Sequence, residues 1–292
     1  MEFLISILEQ GFIFGIAALG VYITYTILDF PDLSVDGTFT LGASVSTIMI
    51  FKGINPFVTL IVSIIAGALA GLVTGLLHER LKITNLLSGI LVMIGLYSIN
   101  LRIMGKANVA IFNNINIFLG KSPLIIITVF VIITKIILDL FFKTHIGYAI
   151  KGAGDNEALI TSLGINGSKV RILALMISNG IVAFSGGIMA QYQRFSDISM
   201  GNGTVIMALA SIIMGQSFIK KESKITATTK VIVGSIMYKL SIGLVLKMGL
   251  PPTDLKLITA VIVVIAISIN NKGMSMFKNI KGLILVGGEK NA

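Results

Sequence analysis

Three aspartates, Asp29, Asp32 and Asp36, stand within the segment DFPDLSVDG, directly after the first long apolar run. Lys135 and Asp139 stand four apart, on one helical face, near the end of another run. Lys239 falls near the middle of a third. Ionisable groups inside apolar runs are costly, and they persist where they face a bundle interior, pair with one another, or handle an ion or proton. These residues therefore suit either an ion or proton relay or a pairing that fixes helices. The spacing of Lys135 and Asp139 close to a run's end favours pairing, or snorkelling to an interface, over a relay. Nothing readable supports catalysis. His78 and His145 are isolated at run ends and read as interfacial residues, and no Ser/His/Asp set or His/carboxylate cluster occurs. Cysteine is absent, which excludes disulfides and thiolate metal sites. No GxxxxGK[ST] phosphate loop is found, so the chain itself is expected to bind no nucleotide and to need no cofactor.

Holding such residues in place calls for membrane spans. The chain has 292 residues, 55% of them hydrophobic and 12% charged, with mean hydropathy +0.96. A soluble domain carries about twice that charged fraction. The expected fold is all-α: one integral-membrane domain over residues 1–292, a polytopic bundle of about nine helices (eight to ten), since each crossing takes about 20 residues. Apolar runs are read at 3–28, 38–51, 57–77, 85–101, 123–142, 171–190, 204–219, 231–246 and 257–269. The DFPDLSVDG segment and the short run after it also fit a broken helix inside the bundle, where irregular backbone is sheltered. Gly67, Ala70, Gly71, Thr74 and Gly75 give the third run a small-residue packing face. The first run lacks a basic leader and a cleavage site, so it reads as a retained span.

The net charge of +10 is spread between the runs, as membrane topology requires, and does not indicate nucleic acid. Lysine and arginine concentrate after the third, fifth and seventh runs and in the tail, 271–292. Those segments are expected to be cytoplasmic, the C-terminus among them, in a multi-pass protein of the cell membrane. Counting back places the N-terminus outside. The longest polar break, 143–171, has an internal plan. Asp155 is placed to cap a short helix and Glu157 to sit in its first turn. Ala158, Leu159, Ile160 and Leu163 form an apolar stripe, Gly164 ends the helix, and Ser168 caps the next span.

Five segments carry a family resemblance: GYAIKGAGDNEALITSLGINGSKVRILALMISNGIVAFSGGIMAQYQ, DLSVDGTFTLGA, NLLSGILVMIGLYSINLRIMGKAN, AQYQRFSDISMGNGTVIMALASIIMG and LPPTDLKLITA. Together they resemble bacterial ABC importer permeases of the branched-chain amino acid and ribose type, and more closely the subgroup described as tryptophan/tyrosine permeases. The resemblance implies a permease homodimer around one path for a small solute, an amino acid and, from the closer subgroup, an aromatic one. It also implies a separate ATPase subunit and an extracytoplasmic solute-binding protein as partners. The short helix would then be the cytoplasmic coupling helix, with Leu159 and Leu163 as groove-filling anchors. Asp155, Asn156 and Glu157 would make polar contacts, and Gly152, Gly154 and Gly164 would set the bends. Arg194 departs from the small residue expected after AQYQ.

The polar residues inside the runs are candidates for the translocation path: Asp32, Asp36, Thr38, Thr40, Asn85, Ser88, Tyr97, Asn100, Asn179, Gln191 and Lys239. Each could instead bridge helices. Lys239 lies farthest from both ends of its run and is expected to pair with a carboxylate or with backbone carbonyls lining a cavity. The main alternative is a proton- or sodium-coupled secondary transporter, which would use the carboxylates at 29–36 or the Lys135–Asp139 pair and would need no capped helix. A non-transporting scaffold is a third reading, opposed by the polar residues within the runs.

Overall fold

The computed structural model describes residues 2–219 and 225–247, with Leu257, Ala260, Val261 and Val264. Expectations for the basic segment at 220–224, the turn at 248–256, most of the run at 257–269 and the tail at 271–292 lie outside the described residues.

The first apolar run forms α1 (Glu2–Tyr22), which relaxes into a π-turn over Ile23–Ile27. Leu28 N donates to Ile23 O (3.0 Å), and Asp29 then takes a positive φ of 51°. Leu28, Phe30 and Asp32 are all buried, so this irregular backbone is sheltered by protein, as membrane depth demands. The second helix, α2 (Ser34–Phe51), starts earlier than the apolar run does. The cause is Asp32, whose Oδ1 accepts from Ser34 N at 2.8 Å and so satisfies an amide of its first turn. The segment is thus a helix boundary followed by a full span rather than a half-helix.

Local signals set most other boundaries. Asn55 caps α3 (Pro56–Glu79) by accepting from Phe57 N, with proline at the first position. Gly105, at φ 70°, closes α4 (Asn85–Met104). Next come α5 (Pro123–Phe141), α6 (His145–Asp155), α7 (Glu157–Ser162), α8 (Gly167–Gln193), α9 (Thr204–Phe218) and α10 (Ala227–Lys247). Seven of the described helices are long and apolar enough to cross a membrane, and α9 falls short at 15 residues. The chain is therefore a multi-pass helical membrane protein. A two-stranded ribbon was not expected from the sequence: β1 (Asn108–Ala110) pairs antiparallel with β2 (Phe195–Asp197). Strands this short carry no readable alternation.

Contacts between helix ends define two faces. On the near face Phe30 stacks edge-on against His78, Ser168 reaches Glu79, and Thr228 reaches Asp139. On the far face Asn114 Nδ2 donates to Ile50 O (3.3 Å) and Gln191 Nε2 to Pro56 O (3.1 Å). Buried serines join α1, α8 and α10 at the centre: Ser178 Oγ to Gly20 O, Ser185 Oγ to Ile13 O and Ser235 Oγ to Gly11 O. Such bonds hold helices together where lipid offers no hydrophobic drive. The small-residue face of α3 lies on α8: a Cβ added at Gly67, Gly71 or Gly75 would strike residues 172–183 of that helix. By contrast, α5 turns Ile125, Val129, Ile132, Ile136 and Leu140 outward, as a lipid-facing surface should.

Candidate functional site

The near face is built around the segment between α5 and α8. Thr144 caps α6 by accepting from Gly147 N at 3.2 Å. Lys151 Nζ, donating to Phe142 O at 3.3 Å, ties α6 back to the end of α5. Asp155 is the last residue of α6, and Asn156 stands between it and the next helix, which corrects the expectation that Asp155 starts the short helix. The backbone extends at Asn156 (φ −159°, ψ 100°), whose carbonyl accepts from Ile160 N and opens α7. Gly152 and Gly154 also lie within α6 and make no bend. They are points of close approach: a Cβ at Gly154 would collide with the Ile27 carbonyl, and one at Gly152 would sit 2.6 Å from Ile160 Cδ1. Glycine-rich sequence reads as loop, but here its lack of side chains lets α6 lie flush on the π-turn of α1.

Gly164 makes the turn expected of it, at φ 76° with its N–H on Thr161 O. Asn166, not Ser168, caps α8, accepting from Lys169 N at 3.1 Å. Ser168 is diverted to Glu79 Oε2 (2.6 Å). Within the apolar stripe Ile160 points into the core, whereas Leu163 is 66% exposed. The side chains of Glu157, Ala158 and Leu159 lie outside the described residues. Ile146 and Tyr148 on α6 are exposed as Leu163 is, and so are Asp155 and Asn156. This apolar surface lies outside the spans and has polar neighbours, the form a protein-docking patch takes.

The polar interior is closely paired. Asp32 Oδ2 accepts from Asn179 Nδ2 (2.8 Å), and Ser34 Oγ donates to Asn179 Oδ1 (3.2 Å). Asp36 accepts from Gly203 N (2.8 Å) and Val205 N (2.9 Å), so its carboxylate caps the N-terminus of α9 within the bundle. Thr40 Oγ1 donates to Asp36 O and accepts from Gly201 N. Thr38 and Ser88 bond back to their own helices at Ser34 O and Asn85 O. Asn100 Nδ2 donates to Gly37 O (3.1 Å), while Gln191 joins Ser46, Thr59 and Ile117 near the far face.

Apart from Thr38 and Ser88, these residues stitch helices together within one chain. Asn85 lies apart from them, half-buried at a near-face recess of about 610 Å³ bounded also by Pro31, His78, Lys82 and Arg171. Tyr97 stands on the outer face of α4, 55% exposed, rather than in the interior. Lys239 departs from its expected pairing: its Nζ lies 3.9 Å above the Phe14 ring, and no carboxylate partner occurs among the described residues. An aromatic face can hold a cation without a counter-charge. Lys135 does pair with Asp139 (2.7 Å), and Asp139 also accepts from Thr228 Oγ1 (2.5 Å). Arg194 ends α8 in the left-handed region and is exposed at the far face.

Two buried carboxylates lie outside the expected set. Glu9 accepts from Tyr192 OH at 2.8 Å, and Glu79 holds Ser168 and Arg171. A charge inside an apolar run is itself the signal that would have flagged Glu9.

A family model described as "Branched-chain amino acid transport system / permease component" matches residues 3–268. The tyrosine transport system permease protein of Clostridioides difficile is 50% identical over 279 residues, covering 95% of each chain. An uncharacterised protein of Rickettsia prowazekii is 35% identical over 278 residues, 92% of this chain and 98% of that one. Among solved structures, PsaBC from Streptococcus pneumoniae in complex with Fab superposes with TM-score 0.54 at 14% identity over 91% of both chains, a likeness of fold.

Proposed function

Because the chain belongs to the family of permease components of branched-chain amino acid transport systems, a family of transporters rather than enzymes, we propose that it is the membrane half of an importer for an aromatic amino acid, tyrosine or a close analogue. The family implies an ATPase subunit and a solute-binding protein as partners. The observation that carries the substrate class is the 50% identity, along 95% of both chains, to a permease named for tyrosine. The near face is the cytoplasmic one on this reading, in keeping with the lysines and arginines that gather there. Leu163, Ile146 and Tyr148 meet the ATPase, and α6 passes its movement to α1 through the Gly154–Ile27 contact.

The solute path runs between two copies of the chain. Asp32, Asp36, Asn100, Asn179 and Gln191 are engaged with neighbouring helices of the same chain, so they support the walls of the path rather than line it. The outward face of α4 carries Tyr97, Ser98 and Arg102, unlike the aliphatic outward face of α5, and it suits a lining role. Of the carboxylates an ion-coupled carrier would use, Asp32, Asp36 and Asp139 are committed to Ser34, Gly203, Val205 and Lys135, and Asp29 is exposed rather than buried in the bundle, which leaves that alternative without a supporting observation.

The test is reconstitution of the permease with its ATPase and binding protein in proteoliposomes. Labelled tyrosine should accumulate only with ATP, and unlabelled tyrosine should compete better than leucine. Accumulation of leucine in preference to tyrosine would refute the substrate class.

A further inference from the structure

We infer that Glu79 is a positioning residue that locks the first turn of α8 to the end of α3, so that movement of α6 and α7 is delivered to both spans together. The inference rests on the reading of the near face as the ATPase-docking face. Glu79 is the last residue of α3 and only 8% exposed. A carboxylate at a helix C-terminus is electrostatically misplaced with respect to its own helix. Its position makes sense from α8. Ser168 Oγ donates to Glu79 Oε2 at 2.6 Å, and Arg171 Nε lies 3.1 Å from Glu79 Oε1. Both partners are in the opening turns of α8, where negative charge is welcome.

A buried ion pair is weak evidence for stability, because desolvation offsets its attraction, and its better-attested use is to fix register. Here the cluster adds a polar lock at the very end of α3, beyond the close packing of Gly75 on Ile172. Immediately before α8 the chain passes through Gly164 at φ 76° and the extended Asn166, a turn that could flex when α7 is pushed. With the clamp in place α8 cannot swing without α3. The two helices already pack closely further along, where Gly71 faces Leu175. Arg171 spans the same junction, so the cluster joins the lever's exit directly to the α3–α8 pair.

Glu79→Gln, Ser168→Ala and Arg171→Lys are tested in the full reconstituted complex, each measured per assembled complex. Assembly, insertion and basal ATP hydrolysis are scored alongside tyrosine imported per ATP. Glu79→Gln keeps an acceptor for Ser168 but loses the ionic bond, and imported tyrosine per ATP is expected to fall about five-fold or more, the scale of a typical coupling free energy. Ser168→Ala should fall less, and Arg171→Lys, which keeps the charge, should recover most of the ratio. An unchanged ratio in Glu79→Gln would overturn the inference. So would a loss of assembly with a normal ratio in the assembled fraction, which would make the clamp purely structural. If the unmodified complex shows no ATP-driven import, the docking reading itself fails.

Discussion

Replacing Asp36 by alanine removes the acceptor that holds the amides of Gly203 and Val205 at the buried start of α9. Two donors would be left without water, and the expected loss of stability is about 1–3 kcal/mol. The substitution Asp36→Asn keeps an acceptor oxygen and should recover part of that loss; thermal unfolding of the detergent-solubilised chain measures both. The partners of Asp36 lie 167 and 169 positions away, which is why the sequence suggests a charged residue with some task but cannot say which. The same holds for Asp32 with Asn179 and for Glu79 with Ser168. Lys239 shows the opposite case: a cation expected to pair with a carboxylate or with backbone carbonyls rests on Phe14, because an aromatic ring leaves no signature of that role in sequence.

Among the elements, the close contact between α6 and the π-turn of α1 is, on the proposed reading, the route from the near face into the bundle. Gly154→Val would drive a side chain into the Ile27 carbonyl and prise the two apart. The expected result is a complex that still assembles and hydrolyses ATP but imports little tyrosine; import equal to the unmodified complex would show that the contact carries no force. Span boundaries were largely legible, because Asn55, Pro123 and Gly105 act locally on the first or last turn they touch. Gly164 was legible for the same reason. The helix at 145–155 was not, since glycine's poor helix propensity hides packing that only the folded neighbours create. Nor was the ribbon between 108–110 and 195–197, whose strands are far apart in sequence and three residues long.

For the whole molecule, composition and charge placement led to a multi-pass membrane protein, and family membership makes it a transport permease. On the proposed reading α6 and α7 form an inward-facing lever worked by a separate ATPase. The chain has no cysteine of its own, so a single introduced thiol reports on one site only. Leu163→Cys places that thiol on the exposed patch without disturbing the core. The most direct measurement is its labelling by a membrane-impermeant maleimide in intact cells and in inverted membrane vesicles, with and without the bound ATPase subunit. The expected result is labelling in inverted vesicles alone, with strong protection when the ATPase is bound. Labelling from outside intact cells, or labelling in vesicles that the ATPase leaves unchanged, would contradict the account.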